Sequence, residues 1–360
     1  MRLVWATVTD VVGEAPGVLD LAVELDDGRH GSAIAYLRLC GPCVSGDRVL
    51  LNTTAVDLDL GTGGRHFVVA RSGEGVALDA PAGGHIMKLR YTPMQIDVAA
   101  VEAQESEHHA VMREASSLDG MPVVCCGLHS QVPLVAAAAK RADRNIRIAY
   151  CMTDGAALAL ELSDVVRASR EAGLLDATIS CGQAFGGEYE AVNLHSGLLA
   201  ARHVLNADIA IVAIGPGVVG TATPFGHGGV AQGEAVNAVA VLGGVPVVCL
   251  RISFADARAR HQGVSHHTRA ALASVALAAA KVAVPTLPPE LAARVDADLE
   301  EAGVWEIHER VDSAEGATPP PPLGGVQVAT MGRSLADDPA FFAAAFASGE
   351  IAFRIARSVL

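Results

Sequence analysis

The first eighty residues alternate between apolar and polar positions with the period of two that is typical of β-strands. Predicted strands cover residues 3–12, 18–25, 30–37, 48–52 and 66–69. The turn Asp26-Asp27-Gly28 between the second and third of these runs predicts a β-hairpin. Because five or six short strands follow one another without a helical segment, we predict a small all-β, barrel-like domain over residues 1–80.

The pattern changes after residues 80–84, whose Ala-Pro-Ala-Gly-Gly sequence is typical of a linker. Nearly continuous apolar runs cover 122–126, 146–152, 177–181, 209–214 and 245–252, and alanine-rich helical segments cover 131–142, 156–171, 191–205, 229–242 and 268–283. A strand without polar positions is buried on both faces, and helices that alternate with such strands favour a parallel sheet. Residues 85–360 are therefore predicted to form an α/β domain, a mainly parallel sheet with helices on both faces.

Two more strands are predicted near the end of the chain, over residues 304–310 and 326–331. A surface loop containing the prolines of 319–322 separates them. A last helix is predicted over 339–356, and it carries four phenylalanines at helical spacing: Phe341, Phe342, Phe346 and Phe353. This spacing indicates a contact with the core, or with a second copy of the chain in a homodimer.

The composition is that of a folded protein with an excess of acidic groups. Apolar residues make up 51% of the chain and charged residues 18%, and 26 Lys+Arg against 40 Asp+Glu give a formal charge of −14. This charge repels phosphate backbones and anionic lipids, so we expect neither nucleic acid nor a membrane as a partner. Residues 1–80 carry six Arg, no Lys and eleven Asp+Glu. The barrel is therefore interpreted as a docking or structural module.

Export and membrane insertion are not expected from the sequence. Thr7 and Asp10 interrupt the start of the chain before an apolar signal core forms, and the longest apolar stretch, 270–280, is much shorter than the roughly 20 residues that cross a bilayer. The seven cysteines form an odd set and lie mostly in apolar runs, which indicates reduced thiols. Cys40-Gly41-Pro42-Cys43 is interpreted as a turn. We expect a cytoplasmic protein.

Each predicted buried strand is followed by a polar or glycine-rich loop, whereas helix-to-strand connections such as 206–208 are short and chemically plain. Since the carboxyl ends of parallel strands lie at one edge of the sheet, and ligands bind there, this edge is the predicted site. The predicted catalytic residues are His129, Asp154, Glu188 and His266. Further residues predicted to line the site are Ser130, Gln131, Gln183, Glu190, Asn193 and His267.

The loop after the fourth buried strand has the densest glycine pattern. Gly215, Gly217 and Gly220 satisfy the G-x-G-x-x-G fingerprint of dinucleotide binding, but Pro224 delays the following helix and no acidic residue ends the next strand. Backbone N–H groups in such a loop can instead cradle an anion, unless the glycines serve close packing alone. The predicted anion-binding residues are Gly215, Gly217, Gly220, Thr221, Thr223 and His227.

These loops carry a family resemblance in five short motifs. They are Gly-Leu-His-Ser-Gln from 127, Thr-Asp-Gly from 153, Gly-Gly-Glu from 186 with Glu-Ala-Val-Asn from 190, Gly-Pro-Gly from 215 and Ser-His-His-Thr from 265. Together they resemble a bacterial family, domain of unknown function 3866, over nearly the whole chain. The resemblance implies no activity. It also leads us to expect glycine at position 222, where this chain has Ala222.

Six of the thirteen histidines lie on or near the predicted edge: His129, His195, His227, His261, His266 and His267. Imidazoles could bind a metal ion together with Asp154, Glu188 or Glu190. No H-x-x-x-H or comparable local motif is present, so we predict no tightly bound metal. In a competing interpretation, one histidine is a general acid or base, oriented by Asp154 or Glu188.

Nucleophilic catalysis is less well supported by the sequence. Ser130 and Cys181 stand at the right end of predicted strands, but neither lies in a Gly-x-Ser-x-Gly elbow. Ser130 is interpreted as a helix N-cap and Cys181 as the buried end of a strand. The sequence thus favours an enzyme that acts on a small anionic metabolite, for example a phosphorylated one. A non-catalytic small-molecule-binding or regulatory protein is the alternative, and no cofactor is assigned.

Overall fold

A computed structural model describes residues 1–73, 85–313 and 322–359 of the chain. The chain forms two compact units, Met1–Ala99 and Ala100–Leu360. The proposed linker 80–84 lies outside the described residues, and so does most of the proline loop at 319–322.

The first unit contains a closed five-stranded barrel in the order β1-β2-β3-β5-β4. Its elements are β1 (Leu3–Ala15), β2 (Val18–Leu25), β3 (His30–Tyr36), α1 (Leu37–Cys40), β4 (Arg48–Asn52), α2 (Thr54–Asp57) and β5 (Arg65–Arg71). Alternate residues such as Leu19, Leu21 and Val23 fill the barrel interior. The predicted barrel is confirmed. The unit also contains a hairpin of β6 (Ile86–Lys88) and β7 (Ile96–Val98), which the sequence analysis missed.

The second unit contains an eight-stranded sheet in the order β11-β10-β9-β12-β8-β13-β16-β17, in which every neighbouring pair is parallel. The strands of the sheet are β8 (Pro122–Cys126), β9 (Ile148–Thr153), β10 (Ala177–Cys181), β11 (Tyr189–Ala191), β12 (Ile209–Ile214), β13 (Val245–Cys249), β16 (Lys281–Val284) and β17 (Glu309–Asp312). Two short strands, β14 (Ile252–Ser253) and β15 (Gly263–Val264), form a separate pair outside the sheet. The predicted parallel α/β fold is confirmed.

Helices cover both faces of this sheet. They are α3 (His109–Glu114), α4 (Val132–Ala142), α5 (Asp164–Glu171), α6 (Leu194–His203), α7 (Ala231–Val241), α8 (His266–Ala270), α9 (Pro289–Glu301) and α10 (Pro339–Val359). Val123 and Cys125 of β8 pack into one apolar cluster with α6, α7 and α9, and Val124 and Cys126 pack into another with α4 and α10. The continuous apolar strands are thus buried on both sides, as predicted.

The alanine-rich segment 268–283 is not one helix. α8 continues as a π-helical turn over Ala271–Val275, and the chain then enters β16 at Lys281. β-Branched Val282 and Val284 favour an extended backbone between β13 and β17. Other differences are that α9 was not predicted and that residues 326–331 form no strand. The strand predicted over 304–310 begins only at Glu309, after a 3₁₀ turn over Val304–Glu306.

The last helix, α10, is long and apolar enough to cross a membrane by length and composition, and it is the one helix of that kind within the described residues. Phe341 and Phe342 are buried, and Phe346 and Phe353 pack against the same apolar cluster. The helix also contacts α4 and the sheet. These contacts are those of a core helix, as the phenylalanine spacing predicted.

The order of the strands separates the loops at the carboxyl edge. β12 lies between β8 and β9, so the connection from β9 leads toward β10 on one side, whereas the connection from β12 leads toward β13 on the other. Such divergence creates a crevice at the carboxyl edge of a parallel sheet. The loops after β9, β12 and β13 border this region.

Candidate functional site

The loop from Gly215 to Gly229 leaves the carboxyl end of β12 and leads to α7. A Cβ at Gly215 would collide with the carbonyl oxygen of Ala157, whose N–H donates to the Pro216 carbonyl at 3.0 Å. Glycine at 215 therefore lets the loops after β9 and β12 pack backbone to backbone. Gly217 is exposed and has φ of 87°, with nothing within 4 Å of an ideal Cβ.

The tip of this loop is closed by its own threonines. The Thr221 N–H donates to the Gly226 carbonyl at 2.8 Å, and the Thr223 hydroxyl accepts from the Gly226 N–H at 3.0 Å. The two threonine hydroxyls lie 3.0 Å apart. Between them, Ala222 has φ of 61°, in the left-handed region that favours glycine. The threonine hydroxyls therefore stabilise the shape of the tip.

Four histidine side chains lie together beside this tip, and we call them the histidine cluster: His227, His261, His266 and His267. The rings of His227 and His267 stack with centroids 3.9 Å apart and planes at 6°. The ring of His266 lies edge-on to both, with centroid distances of 5.3 and 4.4 Å. An ideal Cβ at Gly229 would lie only 2.9 Å from the Cβ of His267. A glycine there lets the two chain segments approach.

Two ring nitrogens in the cluster are left without partners. His227 Nε2 donates to the Pro224 carbonyl at 3.0 Å, so the neutral ring carries its proton on Nε2 and presents a lone pair on Nδ1. This Nδ1 and the Nε2 of His266 are both buried, and neither has a hydrogen-bond partner among the described residues. Buried polar atoms without partners are uncommon and indicate strain or an absent ligand.

The other two histidines are anchored to neighbouring side chains. His267 Nδ1 lies 3.4 Å from an Arg251 guanidinium nitrogen, which can only donate. His261 Nδ1 lies 2.7 Å from the Ser265 hydroxyl. The Ser265 hydroxyl also accepts from the His267 N–H, as the N-cap of α8. The Ser-His-His-Thr motif thus positions the two adjacent histidines in the first turn of α8.

Burial lowers the pKa of all four imidazoles, and the Arg251 charge lowers each of them further. The pKa falls to about 4 for His266, about 3 for His261 and about 2 for His267, and it is also lowered for His227. The rings are therefore uncharged at neutral pH, each with a proton on one nitrogen only. The uncharged ring is the form that accepts a proton or binds a metal ion.

Arg251 belongs to a buried network of opposite charges beside the histidine cluster. The Asp256 carboxylate accepts two hydrogen bonds from Arg258, at 2.8 and 2.9 Å, and one from Arg333 at 3.3 Å. Arg251 approaches the same carboxylate to 3.9 Å, and Arg333 also donates to Asp338 at 3.0 Å. The Arg258 side chain holds the pKa of Asp256 well below its usual value. Three guanidinium groups and two carboxylates leave one positive charge in this network.

A pocket of about 490 Å³ opens beside His266, and we call it the arginine pocket. Its polar lining includes Thr223, Arg260, His266, Arg269 and Glu301. Arg269 lies 3.9 Å from the Glu301 carboxylate, and its buried Nε has no hydrogen-bond partner within the part of the chain that is described. Two guanidinium groups against one carboxylate make the lining positive.

The structure places His129 in the core. Its Nε2 lies 2.6 Å from the Ser163 hydroxyl and its Nδ1 lies 3.0 Å from the Tyr150 hydroxyl. Burial lowers the pKa of His129 to about 4. Both ring nitrogens are thus occupied, one by Tyr150 of β9 and the other by Ser163, the N-cap of α5. His129 is not a member of the histidine cluster.

Ser130 and Gln131 lie in a 3₁₀ turn with His129, before α4. The N-cap of α4 is Gln131, so the interpretation of Ser130 as the N-cap is wrong. The Gln131 side chain accepts from the Leu128 N–H at 3.0 Å and donates to the Leu250 carbonyl at 3.0 Å. Gln131 therefore ties together the chain segments that follow β8 and β13.

Asp154 and Gln183 come together after neighbouring strands, as predicted for one edge of the sheet. The exposed Asp154 carboxylate accepts from the Gln183 N–H at 2.8 Å. Gly155 follows Asp154 in the chain. An ideal Cβ built at Gly228 would lie 3.2 Å from the carbonyl oxygen of Gly155, so the two backbones pack closely. The Asp154 loop therefore borders the chain segment that carries His227.

Glu188 lies at the opposite, amino-terminal end of the strands. β11 pairs in parallel with β10 so that Tyr189 is beside Ile179, which places Glu188 beside Thr178. The Glu188 carboxylate accepts from the Thr178 N–H at 3.0 Å and pairs with Arg170. The predicted juxtaposition of Glu188 with His129 and Asp154 is not found, because residues 182–188 return along β10 before β11 begins.

Glu190 and Asn193 stabilise the backbone around β11. The buried Glu190 carboxylate accepts from the Ser180 hydroxyl at 2.7 Å and from the Gly186 N–H at 2.9 Å. Asn193 is the N-cap of α6 and accepts from the Ser196 N–H at 3.0 Å. The structure therefore groups only part of the predicted site, namely Gly220, Thr223, His227, His266 and His267.

The sequence analysis missed the arginines of this site, Arg251, Arg260 and Arg269. The signal was present in the segment 258–269, which interleaves arginines and histidines within a dozen residues. In a chain of net charge −14, such a local concentration of cationic side chains indicates an anion site.

Comparison with protein-family models gives a match over most of the chain. The model of the family described as Protein of unknown function (DUF3866) matches residues 32–349, a range that includes the histidine cluster and the arginine pocket. Searches of curated proteins and of solved structures found no significant match.

Proposed function

We propose that this chain, which belongs to the DUF3866 family of proteins of unknown function, is a cytoplasmic enzyme that acts on a small anionic metabolite bound in the arginine pocket. The observation that carries this proposal is the pairing of two guanidinium groups with the half-buried, uncharged imidazole of His266 in one concave site. Buried thiols support the location, since all seven cysteines are unpaired.

The charge of the pocket supports an anionic ligand. Arg260 and Arg269 face a single carboxylate, Glu301, and the neighbouring network around Asp256 adds a further positive charge. The Arg269 Nε has a hydrogen that meets no acceptor within the described residues. Guanidinium groups bind carboxylates and phosphates through paired N–H donors, so a phosphorylated or carboxylated metabolite fits this lining.

The histidine side of the pocket supports chemistry on the bound molecule. His266 lines the pocket, and its uncharged imidazole can hold a metal ion that polarises a bound substrate. Thr223, from the tip of the glycine loop, lines the same pocket. The proposed anion site thus lies at the far end of the loop predicted from the sequence and not at Gly215 or Gly217.

A non-catalytic binding protein is the second candidate function. Its support is that the predicted catalytic residues His129 and Glu188 and the predicted site-lining residue Glu190 are all engaged in contacts that hold the fold. In that case the arginine pocket binds the same kind of anion, and no product forms.

The proposal is tested by anion binding to the purified full chain. Inorganic phosphate, sugar phosphates, nucleotides and small carboxylates are screened by thermal shift, and the ligand with the largest shift is titrated calorimetrically. We expect Arg260→Gln and Arg269→Gln each to weaken binding by roughly tenfold or more, because each removes a charge-assisted contact. Arg113→Gln is the control, since Arg113 is an exposed residue of α3 paired with Glu114.

The outcomes separate the two candidate functions. Mass spectrometry of the bound ligand after incubation shows a product if the protein is an enzyme, and unchanged ligand if it only binds. Equal affinities in the two pocket variants, the control and the unmodified chain would contradict the proposed site.

A further inference from the structure

We propose that His227, His266 and His267 form a binding site for a divalent transition-metal ion such as Zn²⁺. One ring nitrogen of each residue lies within 4.8 Å of the corresponding nitrogens of the other two. Three imidazoles are the protein ligands of one common kind of catalytic zinc site, in which a fourth position stays open. The metal's role in catalysis rests on the function proposed above, whereas its binding does not.

The unpartnered nitrogens are the independent evidence for a ligand. His227 is 5% exposed, and its buried Nδ1 lone pair has no partner within the described ranges; the same holds for the buried His266 Nε2. A buried ring nitrogen without a partner is unfavourable, and a metal ion would satisfy both nitrogens at once if the His266 proton is on Nδ1. A bound water would need further polar partners of its own.

The surroundings of His227 fit a metal ligand. Its Nε2 donates to the backbone carbonyl of Pro224 at 3.0 Å, which fixes both the tautomer and the orientation of the ring. Metal-binding histidines usually donate their second N–H to a carbonyl or carboxylate in this way. The proton on Nε2 leaves Nδ1 as the metal-binding atom of this residue.

His267 must change position when the ion binds. Its ring is stacked on His227 with a 6° angle between the planes, and an ion about 2 Å from both nitrogens cannot lie near both ring planes in that arrangement. One ring therefore rotates out of the stack. Ligation through His267 Nδ1 replaces its 3.4 Å contact with Arg251, and ligation through Nε2 moves the ring proton to Nδ1, which also ends that contact. Loss of the ring stacking lowers the binding constant for the ion by about tenfold, which is small compared with the affinity of a zinc site.

The open position of the metal would face the arginine pocket. His266 belongs both to the lining of that pocket and to the histidine cluster, and Pro224, whose carbonyl accepts from His227, also lines the pocket. An anion held by Arg260 and Arg269 could then place an oxygen on the metal, and the ligand class becomes an oxyanion or its ester, or a carboxylate.

The test is Zn²⁺ binding to the full chain after removal of metal with a chelator. Calorimetry and elemental analysis are expected to give one Zn²⁺ per chain. His227→Ala and His266→Ala should each weaken binding roughly 100-fold or more, because each removes a direct ligand. His195→Ala is the matched control, since His195 is exposed on α6, and it should bind as the unmodified chain does.

Co²⁺ substitution in the unmodified chain tests the site without any variant that could misfold. The intense visible absorption of four-coordinate Co²⁺ supports the proposal, and the weak spectrum of hexahydrated Co²⁺ overturns it. Absence of stoichiometric Zn²⁺ binding, or equal affinity in the His227, His266 and His195 variants, also overturns it. Phosphate titration of the metal-free chain is the separate test of the anion pocket, so either idea can fail alone.

Discussion

Ala222 is a non-glycine residue whose backbone lies in the left-handed region. It has φ of 61° at the tip of the glycine loop, at the position where the family resemblance led us to expect glycine. The left-handed region costs an L-residue about 1 kcal/mol, whereas glycine adopts it freely. The hydrogen bonds of Thr221 and Thr223 on either side therefore hold the alanine in an unfavourable conformation.

We predict that Ala222→Gly raises the free energy of unfolding by up to about 1 kcal/mol, because relief of strain exceeds the extra entropy of the unfolded chain. Gly217→Ala is the opposite control: φ is 87° and nothing lies within 4 Å of its Cβ, so it should lower that free energy by about 1 kcal/mol through backbone strain alone. Urea unfolding measures both. A clear loss of stability in Ala222→Gly would show that the tip has a different conformation.

His129 makes stability depend on pH. Burial lowers its pKa in the folded chain from 6.5 to about 4, so the unfolded chain binds more protons between these values. The stabilisation is present above pH 6.5 and is lost as the pH falls toward 4, by up to about 3 kcal/mol. Unfolding free energies measured from pH 7 to pH 4 should therefore fall less steeply in His129→Gln than in the unmodified chain. Parallel pH profiles would contradict this assignment.

At the scale of elements, the sequence predicted the barrel strands and the buried strands of the sheet well. Both patterns are local: alternation in residues 18–25 and continuous apolar runs such as 209–214 state directly which faces are buried. The helical interpretation of 276–283 was wrong because alanine is compatible with either element. The position of β16 between β13 and β17 decides its conformation, and that is tertiary information.

The candidate site was predicted less completely for the same kind of reason. The rule that loops gather at the carboxyl edge located Asp154, Gln183 and His227. It failed for Glu188, because the rule assumes that each loop stays at the edge, and residues 182–188 instead return along β10. Which histidines share a cluster depends on distances between separate loops, and no spacing in the sequence encodes them.

Gln232 of α7 joins two strands of the sheet at this edge. Its buried side-chain amide donates to the carbonyls of Cys125 and Cys249, both at 2.8 Å, at the ends of β8 and β13. Gln232→Leu keeps the volume but leaves two buried carbonyls without these donors, so we expect a loss of about 2–4 kcal/mol in unfolding free energy. Gln327→Leu, at an exposed position, should change it by less than about 0.5 kcal/mol in the same assay.

At the scale of the whole molecule, the charge distribution is the main functional feature. The chain carries a formal charge of −14, yet Arg251, Arg258, Arg260, Arg269 and Arg333 are concentrated around one pocket and one histidine cluster. A net negative chain with this positive concave site among its described residues favours a small anion as the ligand of the site. The proposed function depends on this contrast.

The most direct measurement is therefore the position of a heavy oxyanion in crystals of the full chain. Tungstate, an analogue of phosphate, gives a strong anomalous signal. We predict its peak in the arginine pocket, within hydrogen-bond distance of Arg260 and Arg269 and on the side of His266. A peak at Gly217, or no peak in the pocket under saturating tungstate while the rest of the structure is unchanged, would contradict the proposed anion site.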